Sequence, residues 1–139
     1  MEFDYQEGPW VETDVSLVIQ KPDLDGDFVS RSIPVPPTSL RSSPTAGDQR
    51  NGGAENGLWI LTIHKRLPGG VGDQLVALLD EIEPHRSGIR LLVSQGYEIS
   101  IRIFGFVGRG STFALSPGLV GRVAGLGIPL AIAPHTSDR

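Results

Sequence analysis

From Tyr97 to Ile103 the chain alternates without a break: Tyr97, Ile99, Ile101 and Ile103 fall on one side, Glu98, Ser100 and Arg102 on the other. A period of two predicts a strand with one buried face. Phe104 and Phe106 continue the polar side, so that face mixes an acid and an arginine with two large rings. Val15, Leu17 and Ile19 mark another half-buried strand over 13–20, with Val18 on its other side. Leu58 to Ile63 is short and largely apolar, the pattern of a central strand.

Between these runs the period lengthens to that of a helix. Leu75, Leu78, Leu79 and Ile82 stand at i, i+3, i+4 and i+7, with Asp73 as a candidate cap. Pro84 suits the first turn of a second helix, faced by Ile89, Leu92 and Val93 and ended by Gly96 in the left-handed conformation. Leu24, Phe28 and Val29 are spaced as one face of a short helix that Asp23 or Asp25 caps. Gly108 to Gly110 turns the chain into a strand over 111–115. Ser116 then caps a helix with Pro117 in its first turn and Leu119, Val120, Val123 and Leu126 as its buried stripe. Gly127 closes it before a last strand, Ile128 to Ile132.

Residues 33–57 break the pattern. Pro34, Pro36, Pro37, Pro44, Gly47, Gly52 and Gly53 remove backbone donors and raise chain entropy, which predicts a long loop without a packed element. The order of elements predicts an α+β fold: a mixed, mostly antiparallel sheet of about five strands with helices packed on one face.

A chain of 139 residues fits one domain with a real apolar core. We expect an acidic extension over 1–12, the domain over 13–134 and a tail over 135–139. The absence of cysteine removes disulfides, thiolate metal sites and a cysteine nucleophile. Two lysines and a net charge of −4 argue against general nucleic-acid binding. The charge is uneven, with five acids and no base in residues 1–14, and six arginines against two acids from Pro84 onward. No run of roughly 18 apolar residues offers a membrane span, and the acidic start differs from a secretory signal, so a cytoplasmic location is expected.

Five short motifs occur in order: Pro37-Thr38, Asn56-Gly57-Leu58-Trp59, Gly96-Tyr97-Glu98, Leu115-Ser116-Pro117-Gly118-Leu119 and Leu126-Gly127-Ile128-Pro129-Leu130. In that order and spacing the chain resembles the domain-of-unknown-function 4279 family over about 13–134. The resemblance implies a small bacterial α+β domain and brings no activity or catalytic residues with it. This chain differs in its longer Pro/Gly/Ser segment between Pro37 and Gly57 and in its acidic extension.

The chemistry-bearing residues form no catalytic set. Asp23 to Asp27 lacks the calcium-loop spacing, since Gly26 falls fourth and Pro34 twelfth. Gly105 to Ser111 leads from strand to strand, where a phosphate loop leads into a helix, and leaves Arg109 at the tip of a turn. His64 is a weak candidate acid or base at a strand end, and Glu98 and Arg102 on another strand are further weak candidates. His64, His85 and His135 show no metal-ligand spacing, and no Gly-x-Ser-x-Gly elbow activates a serine. No cofactor or metal is expected. The best candidate ligand site is the face carrying Arg102, Phe104 and Phe106, with Trp59 and Arg109 as further contacts. These features favour a binding domain whose open sheet face engages a protein partner or a small, partly apolar ligand. A small cofactor-free enzyme of cyclase or isomerase type is the alternative, and an immunity-type or regulatory inhibitor is another. A homodimer is compatible with each.

Overall fold

The computed structural model describes residues 11–41, 57–64, 67, 70–107 and 112–136, the side chains of 11, 12, 106, 107 and 136 excepted. Strand β1 (Val11–Lys21) occupies the centre of a five-stranded sheet ordered β2-β3-β1-β4-β5. The others are β2 (Ser39–Arg41), β3 (Gly57–Ile63), β4 (Glu98–Val107) and β5 (Leu130–Thr136). The β1–β3, β1–β4 and β2–β3 ladders are antiparallel, and β4–β5 is parallel. Register places Val15 between Ile63 and Ile103, Leu17 between Leu61 and Ile101, and Ile19 between Trp59 and Ile99. These rows make one apolar face, and every member except the half-buried Ile63 is buried.

Helices α1 (Gly26–Ser32), α2 (Val71–Ile82), α3 (Arg86–Ser94) and α4 (Pro117–Leu126) cover that face. Leu75, Leu78, Leu79 and Ile82 of α2 are all fully buried, as their spacing predicts. Full burial of each such side chain contributes about 1.5–3 kcal/mol. Asp25 caps α1 by accepting from the N–H groups of Asp27 and Phe28, and Ser116 caps α4 by accepting from Leu119 N–H at 3.1 Å. Among the described residues Gln74 of α2 is the one buried polar side chain, and it donates to the Thr13 and Ile63 carbonyls. It fastens α2 to the ends of β1 and β3.

Several expectations fail locally. Ser39–Arg41, inside the supposed loop, pairs with Leu58, Trp59 and Ile60 as an edge strand. An edge strand bonds on one side only, so a proline-rich neighbourhood tolerates it. Of the strand expected over 111–115, the described residues 112–115 have no regular structure, although Phe113 and Leu115 pack against the core. The edge of β4 that a hairpin would use is taken by β5, delivered in parallel by α4. Gly70 stands at the cap of α2, and Asp73 lies within its first turn, where its charge suits the helix dipole. Val93 and Val120, read as buried, are 47% and 50% exposed. Residues 42–56 lie outside the described residues.

Arg122 joins α4 to the end of α2. Its guanidinium donates to both Glu83 carboxylate oxygens, at 3.1 and 2.7 Å, and to Asp80 at 2.9 Å. The Arg122 hydrogen bond holds the Glu83 carboxyl below its ordinary 4.5, against the opposing effect of desolvation. A lowered carboxyl stabilises the fold above its unfolded pKa, and that contribution disappears as pH falls through the folded value. The pair is partly exposed, so solvent screening keeps its contribution small. Arg122→Gln should therefore lower the urea midpoint at neutral pH and lose that deficit progressively below pH 4.5. A deficit that is constant from neutral pH into acid would show that the pair does not stabilise the fold through ionised Glu83.

Candidate functional site

The face of the sheet opposite the helices carries Asp14, Ser16, Val18 and Gln20 of β1 beside Thr62, Ile60 and Leu58 of β3. On its other side stand Phe104, Arg102, Ser100 and Glu98 of β4. At the Gln20 and Glu98 corner this face opens into a notch of about 360 Å3, within the roughly 300–1,000 Å3 typical of small-ligand pockets. Val93, Tyr97, Ile99, Ile128 and Pro129 supply most of its wall, with Gln20, Glu98 and Ser100 along the rim. Glu98 carries the only carboxylate among these lining residues.

Local chemistry makes the walls firm. Gly96 at φ 92° lets the chain leave α3, and Tyr97 N–H then donates to the Leu92 carbonyl at 3.0 Å. The Tyr97 hydroxyl accepts from Asp25 N–H at 3.3 Å. Its ring lies 5.9 Å from that of Phe28, with the Lys21 ammonium 5.5 Å from its centre. Opposite, Gly127 at φ 72° ends α4 and Ile128 is anchored in the core. The Pro129 carbonyl accepts from Ile101 N–H at 2.9 Å, the first bond of the β4–β5 ladder. Val93 projects at the mouth because it lies just off the buried stripe of Ile89 and Leu92.

The residues singled out in the sequence divide among several places. Glu98 is exposed on the notch rim. Arg102 is exposed further along β4, in the row of Ser16 and Thr62. Phe104 is half-buried on the open face, its ring 5.4 Å from that of His135. His64 is exposed at the far end, its Nδ1 3.6 Å from an Asp14 oxygen. Trp59, expected as a further ligand contact, is fully buried on the helix-covered face and does not reach the open face. Phe106 lies in β4, but its side chain is outside the described residues, as is Arg109. Gln20, Val93, Ile128 and Pro129 were not anticipated as site residues. A proline two residues after a helix-ending glycine was the available signal.

Asp14 and Gln20 stand near opposite ends of β1, about 20 Å apart at the rise of an extended strand. His64 and Asp14 thus lie too far from the notch to act on anything bound there. Among the described residues no cluster of three His, Asp or Glu is arranged to hold a metal ion, and no helix is long and apolar enough to cross a membrane.

A family model described as "Domain of unknown function (DUF4279)" matches residues 11–137. No curated protein and no solved structure matches the chain.

Proposed function

The chain belongs to the DUF4279 family, and we propose that it is a binding domain whose notch at the start of β4 takes a small, partly apolar ligand carrying a cationic or hydrogen-bond-donating group. The observation that carries this reading is the composition of the notch: an apolar wall fixed at both ends, with one carboxylate on the rim. Apolar walls supply burial, and a few placed polar groups set orientation. This reading moves the ligand from Arg102 and Phe104 to Glu98 and reverses the preferred charge. An electron-rich ligand suits Arg102, whereas Glu98 favours a donor or cation. The separation of His64 from the notch counts against a catalytic part for that imidazole there.

Calorimetric titration with 2-phenylethylamine and with 3-phenylpropionate tests the reading. The amine should bind more tightly than the acid. Val93→Trp should abolish amine binding, because an exposed side chain at the mouth is replaced by one large enough to fill it. Glu98→Gln should weaken amine binding by roughly two- to five-fold, the range for an exposed ion pair. Equal binding of the two probes, or amine binding that survives Val93→Trp, would overturn the reading.

A further inference from the structure

The ladder between β4 and β5 stops for a chemical reason. In parallel pairing, Ile101 N–H donates to the carbonyl of Pro129, one residue before its partner Leu130. Continued by two residues, the same pattern would have the Ile99 carbonyl accept from the N–H of residue 129. Residue 129 is proline and has no N–H. Strand β5 therefore begins at Leu130, and among the described residues no strand residue stands opposite Ile99 on that edge.

The direction of the Ile99 backbone follows from its neighbours. Ile101 turns its N–H toward β5, so the Ile101–Leu17 pair is a non-hydrogen-bonded pair of the antiparallel β1–β4 ladder. Such pairs alternate, which makes Ile99–Ile19 another. The N–H and C=O of Ile99 thus point away from β1, toward the notch that Ile99 lines. Tyr97 faces the same way, but its N–H is taken by the Leu92 carbonyl. A backbone donor and acceptor on one edge, beside an apolar wall, match the way an extended chain adds to a sheet.

Resting on the notch reading above, we propose that the ligand is a short extended peptide segment of a partner, paired by its own backbone to the N–H and C=O of Ile99. Side chains of an extended segment alternate between the two faces of a sheet. One set meets Val93 and Ile128 on the helix side, and the other meets Glu98 and Ser100 on the open face. The segment therefore alternates apolar and basic residues. Leu130 of β5 bounds the gap at one end and the end of α3 bounds it at the other, so the segment is short.

The test uses the full chain, the capped tripeptide acetyl-Leu-Lys-Leu-amide and the same tripeptide methylated on its backbone nitrogens. In 1H–15N spectra the unmethylated tripeptide should move the Ile99 amide and slow its hydrogen exchange. Methylation removes the donor for the Ile99 carbonyl and should weaken binding by roughly three- to ten-fold, the worth of one hydrogen bond. Equal binding of the two tripeptides, or an Ile99 amide that does not respond, would overturn the peptide assignment. If 2-phenylethylamine occupies the notch and the tripeptide does not, the peptide assignment falls and the notch reading stands. If neither binds, both fall.

Discussion

Replacing Gly88 with alanine should destabilise the domain by about 3 kcal/mol or more, the upper end of what overpacking costs. Gly88 lies on α3 where the end of α1 crosses it. A Cβ there would stand 1.9 Å from the Ser32 carbonyl oxygen and 2.8 Å from its carbon. These are backbone atoms and cannot swing aside as a side chain would. Relief requires α1 to lift from α3, and that exposes Val29 and the adjoining Ile33, both fully buried. Helix propensity pushes the other way, favouring alanine over glycine by about 1 kcal/mol. The steric term wins because it removes two core side chains from their packing. Gly121→Ala in α4 is the matched control, since nothing lies within 4 Å of a Cβ there. That substitution should stabilise the domain by about 0.5–1 kcal/mol. Urea melts of both variants check the pair of signs, and a Gly88→Ala midpoint at or above wild type would remove the close helix crossing from the account.

Trp59 should show the second large effect, with an internal contrast. It is fully buried between Ile19 and Leu40 in the sheet register, so Trp59→Ala should cost about 3–5 kcal/mol. Among the described residues its indole Nε1 is buried without a hydrogen-bond partner. An orphaned buried donor costs about 1–3 kcal/mol. Trp59→Phe deletes that donor while keeping an aromatic ring in the core. The two terms oppose each other, and Trp59→Phe should cost less than about 2 kcal/mol. Denaturant melts giving the same large loss for Phe as for Ala would show that the N–H is satisfied and contributes to stability.

The parts of this fold legible in the sequence are those set by neighbours along the chain. The period of Leu75, Leu78, Leu79 and Ile82, the caps at Asp25 and Ser116, and the left-handed ends at Gly96 and Gly127 depend on a few residues each. Strand β2 was not legible, because Leu40 is a strand residue only through Trp59, which lies nineteen positions away. The strand expected over 111–115 failed for the converse reason: the glycine turn suggested a hairpin, while β5 had taken the edge that its second strand would need. Val120 was misassigned because a short helix covered on one side has a narrower buried stripe than the pattern suggests.

The site was less legible than the fold. Glu98 was in view, but its setting depends on Val93, Ile128 and Pro129, which come from two separate turns at the ends of α3 and α4. The face that attracted notice, with Arg102 and Phe104, is open as the alternation implies, and its composition says nothing of where a cavity forms. The missing N–H of Pro129 has meaning only once β5 is known to run parallel to β4.

The central claim is that ligand binds in the notch, and backbone amide mapping of the full chain with 2-phenylethylamine tests it most directly. The account predicts that the largest shifts fall on Ile99, Ser100, Gly127 and Ile128, with His64 and Asp14 unmoved at the far end of the sheet. Shifts centred on His64, Arg102 and Phe104, with Ile99 and Gly127 silent, would contradict it and return the site to the open face.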